Sequence, residues 1–159
     1  MDTSTRYFDD LKQSERFQSA TYIVSGAAII EFARRFDPQA FHLEPERAEQ
    51  TMLKGLTASG WHTAAITMRL FVETLSFAEG AIGLGVDELR WPNPVRPGDA
   101  VRVETEIIDL RRSRSNPNCG IVRLRNVTTN QRGEIVQTML ASVLVVRRRP
   151  FGITTQHLR

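Results

Sequence analysis

Beyond Gly80 the spacing of apolar residues changes from three-and-four to two, and the patterned part of the chain never changes back. A period near 3.6 belongs to a helix with one covered face, and a period of two to a strand with one covered face. Upstream of the change, Ser25 is a good N-cap for a helix with Ile29, Ile30, Phe32, Ala33 and Phe36 along one stripe. Pro38 disfavours the α conformation at Asp37, so that helix is predicted to stop there. Residues 44–50 read as a helical turn begun at Pro45. The strongest helix covers residues 61–77, with Trp61, Ala64, Ala65, Met68, Phe71, Val72 and Leu75 at spacings of three and four. Its only charges are Arg69 and Glu73, which predicts a mostly buried helix. Downstream, strands are predicted over 81–91, 101–107, 121–126 and 134–147, the last being the longest. Pro92-Asn93-Pro94, Pro97-Gly98-Asp99 and Asn130-Gln131-Arg132-Gly133 mark the breaks. Residues 1–19 read as a polar lead-in or an early helical turn, and residues 21–24 as a brief β-rich piece. A helical first half followed by a meander of antiparallel strands is an α+β domain.

With 159 residues, no repeat and no internal boundary, the chain reads as one domain, 1–159, with its core at about 17–149. The formal charge is only +3, which is mild for a nucleic-acid binder, and no array of stacking aromatics supports such a partner. Of the 21 basic residues 19 are Arg, a composition suited to gripping a few phosphates through planar contacts. The single cysteine, Cys119, excludes an internal disulfide and a multi-cysteine zinc site, and reads as structural. No His, Asp or Glu cluster has metal-ligand spacing, so no metal is expected. The longest apolar run, residues 139–146, is too short to cross a bilayer. The first residues lack a basic and an apolar signal region, so the expectation is a cytoplasmic protein with no membrane partner.

There are three histidines, His42, His62 and His157. Asp37 and His42 are five apart, which on one helix would point them about 140° from each other. On a loop leaving a helix end, both could converge on one pocket and supply general acid/base capacity near neutral pH. The alternative is a helix-capping Asp37 and a surface His42. Ahead of the strongest helix, Gly55-Leu56-Thr57-Ala58-Ser59-Gly60 is a small-residue turn. A helix start offers unpaired N–H groups, and glycine admits a close approach, so Ser59 and Gly60 could polarise a carbonyl oxygen. The alternative there is a plain tight turn with Ser59 as N-cap. His62 either reaches the same pocket or is a satisfied, partly buried histidine. His157 lies in a polar tail. The aromatics Phe32, Phe36, Trp61, Phe71 and Phe77 fall at helical spacing and read as core, while Arg147-Arg148-Arg149 reads as covering an edge or meeting solvent.

Asp37 to His42, followed by Gly60 eighteen residues on, resembles the D-x-N-P-x-H motif and small-residue turn of the MaoC-like dehydratases, the (R)-specific enoyl-CoA hydratases. Leu89 to Asp99 is similar to that family's strand–turn–strand signature, and the resemblance spans residues 21–147. It implies a hotdog fold, an antiparallel sheet wrapped around one long helix. It also implies a homodimer or larger assembly, with acyl-CoA in a tunnel near the subunit interface. Asp37 and His42 would then activate a water for attack on C3 of a trans-2-enoyl thioester and deliver a proton to C2. The Gly60 N–H would hold the thioester oxygen. No cofactor is implied beyond the coenzyme A of the substrate, whose phosphates Arg111, Arg112 and Arg114 could grip, unless that run is a solvated turn. The family's Asn and Pro positions carry Gln39 and Ala40, and a position often His carries Ser59. Those departures keep open a non-catalytic acyl-CoA-binding protein, and thioester hydrolysis shares the fold.

Overall fold

The computed structural model describes residues 5–148. A single 3-10 turn, Phe8–Asp10, precedes the short strands β1 (Arg16–Gln18) and β2 (Tyr22–Ile23). Three helices follow, α1 (Gly26–Phe36), α2 (Ala40–Leu43) and α3 (Pro45–Glu49), and then the long α4 (Gly60–Thr74). The rest is a meander of β3 (Ile82–Arg90), β4 (Ala100–Arg112), β5 (Cys119–Thr129) and β6 (Ile135–Val146). The antiparallel sheet has the order β1-β4-β5-β6-β3, with β2 pairing β4 beside β1. In register, Val103 of β4 faces Thr128 of β5, which faces Gln137 of β6. The architecture is the α+β hotdog fold that the sequence implied.

Local chemistry accounts for the boundaries. Ser25 Oγ accepts the Ala28 N–H at 3.1 Å and starts α1, and Pro38 forces Asp37 out of helical geometry at φ −153°, ψ 68°. In β4 and β5 the alternation is clean: Val101, Val103, Thr105 and Ile107 are buried, as are Val122, Leu124, Asn126 and Thr128. Two apolar clusters lie along α4. One gathers Val24, Ile29, Leu56, Ile66, Val95, Val101 and Val136 near the helix start. The other gathers Phe71, Leu75, Ile107, Val122, Leu124 and Val143 near its end. Each fully buried aliphatic side chain is worth about 1.5–3 kcal/mol in removed apolar surface.

Several expectations are corrected. The α4 helix is not mostly buried. Its inner stripe is His62, Thr63, Ile66, Thr67, Leu70 and Phe71, whereas Trp61, Met68 and Val72 are 61%, 46% and 53% exposed. The helix is apolar nearly all round, so spacing alone does not reveal which stripe meets the sheet. Two threonines on the inner stripe have buried acceptors: Thr63 Oγ1 donates to Ser59 O, and the Thr67 and Thr128 hydroxyls meet at 2.7 Å. Trp61 is therefore exposed rather than core, as is Phe36 at the end of α1, while Phe71 and Phe77 are buried. The helix ends at Thr74, and Leu75 and Phe77 enter the core from the following loop. Residues 16–18 form an edge strand, not a lead-in, and β4 is the longest strand at 13 residues. Arg147 and Arg148 neither cover an edge nor simply meet solvent; they pair with Asp9 and Asp10 at 3.0 and 2.9 Å and fasten the 3-10 turn. Arg149 and His157 lie outside the described residues. Among the described residues no helix is long and apolar enough to cross a membrane, and none of their His, Cys, Asp and Glu side chains form a metal-holding group of three.

Candidate active site

The break at Pro38 is what builds the site. It turns Asp37 away from the axis of α1, and the chain re-enters a helical turn at α2 that carries His42 back toward it. His42 Nε2 lies 3.3 Å from Asp37 Oδ2. On the other side of the ring, His42 Nδ1 is 2.6 Å from the Thr57 carbonyl oxygen. A carbonyl only accepts, so Nδ1 carries a proton and Nε2 is the atom left to exchange one. His42 is buried at 6% exposure, and Phe41 packs edge-on against its ring.

Asp37 is gripped at both oxygens. Ser59 Oγ donates to Oδ2 and Gln39 Nε2 to Oδ1, both at 2.6 Å. Burial opposes the carboxylate charge, yet the Ser59 and Gln39 bonds and the neighbouring His42 outweigh it and hold this carboxyl below the usual range. Ser59 is also the N-cap of α4, accepting the Trp61 N–H at 3.3 Å. One hydroxyl therefore couples the carboxylate to the helix start. Gly60 is the first residue of α4, and its amide has no acceptor among the described residues. The preceding turn is anchored by Ala58 N–H on Val95 O at 2.8 Å and by Arg96 on the Leu53 carbonyl at 2.6 Å. The result is a carboxylate–imidazole pair with the capacity to exchange a proton, and a free, dipole-backed N–H, joined through Ser59.

Residues 10–130 match the MaoC like domain, a span that includes Asp37, His42, Ser59 and Gly60. The chain belongs to the MaoC-like dehydratase family. A crystal structure of a MaoC-like dehydratase from Rhodospirillum rubrum is 51% identical, covers 91% of this chain and 99% of its own, and superposes with a TM-score of 0.86. The (R)-hydratase of A. caviae is 27% identical over 84% of this chain and 96% of its own, with a TM-score of 0.71. A mesaconyl-CoA hydratase of Cereibacter sphaeroides is 42% identical over 65 residues, which is 41% of this chain and 19% of that protein.

In this MaoC-like chain the structure brings together Asp37, His42, Ser59 and Gly60. It does not bring Arg111, Arg112 and Arg114 to them. Those arginines are exposed and follow Ile107 and Leu110, which pack with the cluster at the end of α4, whereas Asp37 and Ser59 meet at its start. A cleft of about 620 Å³, lined by Arg16, Phe17, Leu70 and Val72 among others, is likewise at the far end of α4. His62 is buried, but it is not satisfied: its Nδ1 has no partner. Its ring stacks on Phe32 at 4.7 Å, and burial pushes its pKa down, so it is neutral at pH 7. Cys119 is buried at the start of β5. The role of Thr57 is not legible in the sequence, because the carbonyl that sets the His42 tautomer carries no residue-type signal. Gln39 departs from the motif, yet its amide reaches Asp37.

Proposed function

We propose that this protein adds water to trans-2-enoyl-CoA thioesters and, in reverse, dehydrates 3-hydroxyacyl-CoA. The observation that carries the reading is the Asp37–His42 contact beside the free Gly60 amide. In the forward direction the pair activates a water for attack on C3 and supplies a proton to C2. The Gly60 N–H, aided by the helix dipole, holds the thioester oxygen as enolate charge develops. The reaction moves protons and water only, so the reading calls for no redox or metal cofactor. The likeness to the (R)-hydratase of A. caviae and the mesaconyl-CoA hydratase of C. sphaeroides supports this class of chemistry.

The assembly proposed is a homodimer. Trp61, Met68 and Val72 on α4 and Ile82, Leu84 and Val86 on β3 are apolar and exposed in the single chain, and a second copy would cover them. Arg111, Arg112 and Arg114 enter as coenzyme A phosphate contacts only from such a second copy. A panel of enoyl-CoAs varying in chain length and branching, followed by loss of enoyl-thioester absorbance, tests the activity. Turnover with at least one is expected, and none at high enzyme overturns the proposal. Replacing Asp37 or His42 with Ala should lower the rate by about 10²–10⁴-fold. Release of free coenzyme A instead of hydration would point to a thioesterase.

A further inference from the structure

The wall behind Gly60 is built from residues the chemistry above does not use. A Cβ placed on Gly60 would lie 2.6, 2.7 and 2.8 Å from Cδ2, Cε2 and Cε3 of Trp91. The indole face is therefore seated directly on the Gly60 Cα, at the residue whose amide is free. Trp91 follows β3 and precedes Pro92, and it is confined on a second side by Trp61, edge-on at 5.4 Å. Its indole N–H donates to Gln137 Oε1 at 2.8 Å. Gln137 sits in β6 at 0% exposure, and its Nε2 has no partner. Burying an amide with one end unpaired is unfavourable, and the bond to Trp91 is the one polar side-chain contact Gln137 makes among the described residues. That placement makes sense if the bond has a use beyond packing.

We infer that Trp91, held by Gln137, is a positioning residue that sets where the Gly60 amide stands relative to the Asp37–His42 pair. Its kinetic consequence rests on the hydratase reading; its structural consequence does not. Trp91→Phe keeps most of the ring and loses the N–H, and Gln137→Met keeps the volume and loses the acceptor. A displacement of about 1 Å at a reacting centre can be worth ~10²-fold. Each single variant should therefore lower kcat by about tenfold or more, with KM changed by less than about twofold. The double variant strands no polar group, so its Tm should return toward wild type while kcat stays low. Variants that lower Tm and leave kcat at the wild-type value overturn the inference, as does a double variant in which kcat recovers along with Tm. The amide resonance of Gly60 in ¹⁵N–¹H spectra gives a readout independent of turnover. It should shift in both single variants, and an unmoved resonance overturns the inference even for an active hydratase. A shifted resonance in a protein that turns over no enoyl-CoA upholds the Trp91–Gln137 support and rejects the hydratase reading.

Discussion

Asp37 is held ionised by neighbours whose removal has a readable sign. Its folded pKa lies below the ordinary carboxylate value, after burial is outweighed by Ser59, Gln39 and His42 in that order. The stability this adds is therefore fully present above about pH 3.9, the free carboxyl value, and is lost as pH falls through the lowered folded value. Ser59→Ala removes the hydrogen bond that lowers the pKa most, so the acid limb of kcat/KM should move up in pH; a pH–rate profile reads it directly. The same change removes the α4 N-cap and should reduce stability by about 1 kcal/mol in urea unfolding. At this scale the sequence showed which residue types could do the chemistry. It did not show the Thr57 carbonyl under His42, because a backbone oxygen has no letter of its own. Nor did it show that Gln39, longer than the family's Asn, spans the gap to Asp37 Oδ1.

The strands and α4 meet through a polar seam between the two apolar clusters. Thr67 reaches Thr128 at 2.7 Å, and Thr105 reaches Asn126 at 2.6 Å, all four residues being almost fully buried. Thr67→Val leaves the Thr128 hydroxyl without this partner and should destabilise by about 1–3 kcal/mol. Adding Thr128→Val should recover most of that loss, and equilibrium unfolding of the three variants would show it. Alternation with a period of two made β4 and β5 legible, since a one-residue slip would turn every inward side chain outward. The short β1 carried no such pattern, being defined by pairs such as Arg16 opposite Glu106. The phase of α4 was illegible for a different reason: its threonines face inward and its tryptophan outward, against their hydropathy.

For the whole molecule, the exposed apolar residues of α4 and β3 are the feature on which the dimer proposal rests. An uncovered edge strand bearing Ile82, Leu84 and Val86 invites pairing with another chain. Leu84→Asp should convert a dimer to a monomer in light scattering while leaving the far-ultraviolet circular dichroism of the chain intact. A wild-type protein that is monomeric at all concentrations would remove the dimer proposal. The sequence by itself determined the α+β class, the stop of α1 at Asp37 and the inward faces of β4 and β5. All of these follow from local sterics or from periodicity, which act over a few neighbouring residues. Only the tertiary structure decided the phase of α4, the tautomer of His42, the separation of the Arg111–Arg114 run from the dyad and the seating of Trp91 on Gly60. Each of those depends on contacts between residues distant in the chain, where the fitting of shapes and the pairing of buried polar atoms outweigh the preferences of single residues.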